Sequence, residues 1–195
     1  MEMKINPRII TLLAIIAVAA CSSFIPFSAG NNFFNINPVG AMALFGGAYF
    51  SQKWKAFFFP LLALFASDLI LNLIFYKGEF GLMYSGWYWI YGTFALIVLI
   101  GNYLLKKVNV KNIVMASLIA ALAHWLISDF GVWLGGGTDI TTGKLYSADV
   151  YGLLKCYYMA LPYLQNFLTG TVIFSSIMFG VFEFAKNRFP VLAAE

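Results

Sequence analysis

Apolar residues fall into six runs along the chain, separated by short polar breaks at about 9–27, 38–50, 56–75, 87–105, 113–134 and 161–185. None alternates apolar and polar with a period of two, so strands are not expected. Five runs reach the ~20 residues that a membrane-spanning helix needs. The second has 13 residues, about 20 Å of helix against a hydrocarbon layer of ~30 Å. Either it continues to about residue 53, or non-helical backbone before it enters the membrane. Such backbone is tolerated only where protein buries it or a cavity solvates it. After the fifth run a long connection opens on Gly135, Gly136 and Gly137. From about Ala148 to Ala160 it fits a short helix that Pro162 separates from the sixth run. The expectation is an all-α integral membrane bundle of six transmembrane helices in one domain, with a short outer helix before the last span.

Composition supports that class. Of 195 residues 62% are hydrophobic, 10% are charged, and the mean hydropathy is +0.82. Soluble domains run near 45–50% apolar and about 25% charged, so a soluble enzyme, a nucleic-acid-binding domain and a disordered chain are excluded. The net charge of +4 lies at the ends of the runs, where it reads as a topology signal rather than a nucleic-acid surface. With both termini cytoplasmic, the inner segments carry Lys4, Arg8, Lys53, Lys55, Lys106, Lys107, Lys111, Lys186 and Arg188, and the outer ones only Lys77, Lys144 and Lys155. That is the positive-inside pattern. Val18-Ala19-Ala20-Cys21 after Lys4 and Arg8 also resembles a lipoprotein signal with Cys21 as the lipidated residue. An ordinary first helix with small packing residues explains it more simply. Two Cys make no disulfide framework.

Polar groups inside a bilayer are costly and point to function by default. The third run holds Asp68 and Asn72 at i,i+4, on one helix face. The fifth holds His124 with Ser128 on one face, and Asp129 with Trp125 and Trp133 on another. The sixth opens with Gln165 and Asn166. By helix rise, Asp68 lies about 20 Å from the inner start of its helix, His124 near the middle or just beyond, Asp129 further out, and Gln165 and Asn166 near the outer end of theirs. The polar groups therefore gather in the outer half, as a cavity open to the outside with aromatic walls from Trp125, Trp133 and Tyr157. The alternative is that they only bond helices together, which an ionisable acid serves poorly. In the stretch from Asn31 to Phe50, Asn37 suits an N-cap and Pro38 the first helical position. Gly40, Ala43 and Gly47 share a face suited to close helix contact. A helix starting below the outer surface would aim its N–H groups at the cavity, with Asn35 beside it; such an end favours a carboxylate or phosphate, whereas two Asp favour a cation or many hydroxyls. The ligand's charge stays open. Nothing has metal-ligand spacing. No phosphate loop, HExxH, CxxC or GxSxG motif is present, so no cofactor is expected and ATP hydrolysis would need another subunit. Cys156 reads as a buried small hydrophobe.

The segments NPVGAMALFGGAYF, KWKAFFFPLLALFASDLIL, SDFGVW and YGLLKCYYMALPYLQNFLTG resemble an uncharacterised bacterial family of six-helix membrane proteins. That family is similar to the substrate-binding S components of energy-coupling-factor transporters. The resemblance implies the bacterial cytoplasmic membrane and capture of a vitamin-like small molecule in an outward-facing pocket. It also implies partnership with an energising membrane subunit and its ATPases. One departure concerns docking. S components often dock through Ala-x-x-x-Ala on the first helix, whereas Ala14 is followed here by Val18 and Ala17 by Cys21. The candidate substrate-binding set is Asn35, Asp68, Asn72, His124, Trp125, Asp129, Trp133, Tyr157, Gln165 and Asn166, with no catalytic or metal-binding residue. A proton-coupled small transporter, an intramembrane lipid-acting enzyme and a structural membrane subunit are the alternatives.

Overall fold

A computed structural model of the chain describes residues 6–22, 36–75, 77–78 and 83–193. The described residues form seven α-helices: α1 (Pro7–Ser22), α2 (Val39–Tyr49), α3 (Lys53–Ile70), α4 (Trp87–Leu104), α5 (Val110–Leu134), α6 (Val150–Met159) and α7 (Leu161–Arg188). A π-helical turn, Leu71–Phe75, continues α3, and a 3-10 turn, Pro190–Leu192, comes after α7. Among the described residues four segments are long and apolar enough to cross a membrane: Lys53–Ile74, Trp87–Leu104, Val110–Leu134 and Leu161–Arg188. Their outward faces carry large apolar side chains, among them Phe58, Leu62, Leu99, Leu118, Leu126, Ile173, Ile177 and Phe184. Such a continuous apolar surface needs lipid rather than water around it.

The second run departs from the expected span. Its helix has 11 residues, about 16 Å, and nearly all of them are buried. A helix that is apolar all round belongs in an interior, and α2 packs against α1, α3, α4, α5 and α7. Its glycines meet three neighbours rather than one face of one partner. A side chain at Gly40 would strike Thr171 and Phe167 of α7, one at Gly46 would strike Pro60 of α3, and one at Gly47 would strike the Val98 carbonyl of α4. Pro60 removes the N–H that would bond the Ala56 carbonyl, and Gly46 lies against both residues. The first run is described only as far as Ser22.

Contacts fix the helix directions. Arg8 donates to the carbonyls of Tyr49, at 3.1 Å, and Leu192, at 3.2 Å. Tyr49 donates to Glu183 Oε1 at 2.6 Å, and Lys186 to the same atom at 2.7 Å. The start of α1, the end of α2 and the end of α7 therefore share one end of the bundle, called here the terminal end. The 135–149 connection and α6 mark the opposite, loop end. Among the described basic residues Arg8, Lys53, Lys55, Lys106, Lys107, Lys111, Lys186 and Arg188 flank the terminal ends of helices, and Lys77, Lys144 and Lys155 lie on the loop-end connections.

The loop-end connection is a small hairpin. Thr138 bridges Leu145 in antiparallel register, and Asp139 N–H donates to the Lys144 carbonyl at 2.8 Å. Gly143, at φ 68°, closes the turn in a left-handed conformation that side chains resist. Asp139 is buried beneath it. It accepts from Lys155 of α6 and from the Thr141 and Thr142 hydroxyls at 2.7 and 2.9 Å. Lys155 first, then Thr141, hold its carboxyl well below the usual carboxylate range. A depressed folded value stabilises the hairpin fully above the ordinary Asp value of about 4, and that stabilisation fades as pH falls from there toward the folded value. Asp139→Asn is accordingly expected to speed amide exchange of residues 137–146 at pH 7 and to lack the acid-induced loosening expected of the parent below pH ~4.

Five hydroxyls in helices, on Thr11, Thr93, Ser128, Thr169 and Ser176, donate to the carbonyl four residues back. Ser117, Thr171 and Ser175 are fully buried and make no such bond. Thr171→Val keeps the shape and removes an unsatisfied oxygen, so it is expected to raise thermal stability in detergent by about 1 kcal/mol. An unchanged or lower melting temperature would mean that this hydroxyl holds an unseen partner.

Candidate functional site

A cavity of about 420 Å³ opens in the loop-end half of the bundle. Helix α3 presents Leu64, Ser67, Asp68 and Leu71 to it, the i, i+3, i+4, i+7 face of an α-helix. Helix α5 supplies His124, Trp125, Ser128, Asp129 and Val132, and α7 opens with Tyr163, Leu164 and Phe167. Ile90 and Phe94 of α4, Tyr84 of the preceding connection, and Asn37 and Val39 at the start of α2 close the lining. Helix α2 therefore begins at the cavity. Pro38 rather than Asn37 takes the cap position, and the Asn37 side chain, one residue earlier, accepts from Val39 N–H at 3.2 Å. A second hollow of about 310 Å³ adjoins the first, sharing Tyr84, Ile90, Ser128 and Val132 and bordered by Gly131, Gly135 and Gly137.

The polar groups differ in how they are satisfied. Asp68 Oδ2 accepts from the Tyr91 hydroxyl at 2.9 Å. Burial, and after it the Asp68 charge, push the Tyr84 phenol above its ordinary range. The Asp129 carboxyl lines the cavity with no hydrogen bond to a described residue. Ser67, 4% exposed, likewise has no partner among the described residues. The His124 ring stacks on Phe167, with centroids 4.3 Å apart and planes 17° apart, while Phe94 closes its other flank at 5.4 Å. Ser128 Oγ lies 3.4 Å from His124 Nδ1 but donates to the His124 carbonyl at 2.5 Å. Its proton is therefore directed at backbone and the serine is not primed as a nucleophile. Cys156 is buried, and burial followed by the Asp129 charge pushes its thiol up to about 11. A thiol held protonated behaves as a small hydrophobe. Among the described residues no cluster of His, Cys, Asp or Glu could hold a metal ion.

Of the residues singled out from the sequence, Asp68, His124, Trp125 and Asp129 come together in this cavity. Asn35 lies outside the described residues. Asn72 is buried in the π-helical turn and has a contact of its own. Leu71, seven residues on from Leu64, lines the cavity, and Asn72 does not. Trp133 donates to the Ser147 carbonyl at 2.9 Å and secures the hairpin. Tyr157 stands behind the wall: its carbonyl accepts from Trp125 at 3.2 Å, and its hydroxyl donates to the Leu126 carbonyl at 2.9 Å. Gln165 is exposed, and Asn166, which has a contact of its own, does not line the cavity. Sequence reasoning passed over Ser67, Tyr84, Phe94, Tyr163 and Phe167. Ser67 could have been found, since it lies on the face of Leu64, Asp68 and Leu71.

Fold and site together define a helical membrane protein with an acidic, aromatic-walled cavity at one end. The chain belongs to a family of unknown function, DUF6580, whose model matches residues 3–192. No curated protein and no solved structure matches it.

Proposed function

We propose that this protein is a substrate-binding membrane subunit of S-component type, which captures a vitamin-like small molecule from outside the bacterial cytoplasmic membrane. The observation that carries the reading is the cavity itself. It has the size of a small-molecule site, mostly apolar walls and a few convergent polar groups. In this reading all six apolar runs lie within the bilayer, and the buried α2 takes the place of the second span. The gathering of basic residues at the terminal end supports cytoplasmic termini. The loop end then faces outward, and the cavity with it. Release inward falls to an energising membrane subunit with its ATPases. The ligand needs no cofactor and the protein performs no chemistry on it.

Native mass spectrometry of the full-length protein in mild detergent tests this reading. The parent is expected to retain a small molecule near one-to-one, and a doubly substituted Asp68→Ala/Asp129→Ala variant to lose it while staying monodisperse. A parent that carries nothing after growth in rich medium, and takes up nothing from a cell extract, would overturn it.

A further inference from the structure

We infer that the ligand is a small organic cation with a flat ring, its positive charge placed between Asp129 and Asp68. This rests on the binding-protein reading and names its substrate class. Among the described residues two carboxylates line the cavity and no Lys or Arg does. The described basic side chains on the loop-end connections are Lys77, Lys144 and Lys155, and Lys155 is already committed to Asp139. Asp68 has one partner, a neutral phenol, and Asp129 has none among the described residues. Carboxylates taken from water without a counter-charge are costly, and removing one partner of a buried pair costs more than the pair earns. A cation entering from solution completes the pairing that the protein leaves open.

Ser67 is independent of the acids. The residue is more than nine-tenths buried, its side chain lines the same cavity, and it bonds to no described residue. A donor or acceptor on the ligand would satisfy it. The walls select the shape. Phe94, Phe167, Trp125 and Tyr84 line the cavity, and aromatic rings attract both a flat ring and a cation held over them. The start of α2 is the one lining feature that favours an anion. A helix end carries about half a positive charge, and here the Asn37 side chain already takes the Val39 N–H. Two carboxylates outweigh it.

Three probes share a phenyl ring and nearly one length but differ in charge: phenethylamine, 2-phenylethanol and 3-phenylpropionate. Thermal unfolding of the full-length protein in detergent is monitored with each. Phenethylamine is expected to raise the melting temperature and the other two to leave it unchanged. Its apparent affinity should fall by about 10–100-fold in Asp129→Asn and in Asp68→Asn. It should stay at the parental level in Asp149→Asn, where Asn still caps α6. Stabilisation by 2-phenylethanol or 3-phenylpropionate that the cavity variants abolish would overturn the cationic class and leave the binding reading standing. If no probe stabilises the protein, the charge of the co-purifying molecule decides: a cation upholds the inference, and a neutral or anionic molecule overturns it. No probe binding and no co-purifying molecule would overturn the binding reading and this inference together.

Discussion

Gly101→Val is expected to leave almost no folded protein. Helices α2 and α4 touch backbone to backbone at two points: a side chain at Gly101 would strike the Leu44 carbonyl and Cα, and one at Gly47 the Val98 carbonyl. Asn102 seals the crossing by donating to the Gly47 carbonyl at 3.2 Å. A clash with a flexible side chain relaxes by rotation, but a clash with backbone relaxes only if the helices separate. Helix α2 is enclosed on all sides, so separation would open the core around Phe45, Phe179 and Phe182. Overpacking a core costs about 1–3 kcal/mol where neighbours can shift, and here they cannot. The expected size-exclusion result in detergent is loss of the monodisperse peak. The comparison is Gly92→Ala and Gly180→Ala, where a new side chain meets open space; these should be neutral or gain up to about 1 kcal/mol. A normal peak for Gly101→Val would mean that α2 does not sit against α4.

Asp68→Asn is expected to weaken ligand binding by about 10–100-fold with the fold intact. Asn keeps the shape and can still accept from Tyr91, so the helix contact survives while the charge goes. Tyr91→Phe is expected to have a smaller effect, since it removes a neutral donor and leaves the carboxylate. Titrating the co-purifying molecule into both variants checks the order. Equal affinity for parent and Asp68→Asn would remove Asp68 from the site and leave it as a bond between α3 and α4.

A bilayer decides which parts of this fold are legible in the sequence. Helices α3, α4, α5 and α7 begin and end within a few residues of where the apolar runs and their flanking basic residues put them. In lipid, length and charge set those limits. The burial of α2 was not legible, because lipid-facing and core-facing positions are both apolar and the usual contrast around a helix vanishes. The same loss of contrast hid Phe94 and Phe167 among 20 Phe. Asp68, His124 and Asp129 stood out because each is a costly residue in an apolar run. Depth along a helix, which the sequence gives, does not fix the direction in which a side chain points. That is why Trp133, Tyr157, Gln165 and Asn166 sit at the expected level and yet lie beside or behind the cavity. Asn72 lies in a π turn that no composition signals, and it is Leu71 that lines the cavity. The hairpin over Asp139 depends on bonds between residues 137–146 and on Lys155 from another helix, so local sequence announced only a structured loop.

The central claim, that a small molecule from outside the cell seats in this cavity, is tested most directly by the reactivity of a cysteine placed at Ser128. Cys21 and Cys156 are first replaced by serine and alanine, and intact cells are treated with a membrane-impermeant maleimide. Ser128→Cys is expected to be labelled from the outside, and labelling to be slowed by the molecule that co-purifies with the parent. Labelling only after the cells are permeabilised, or at the same rate with and without that molecule, would contradict it.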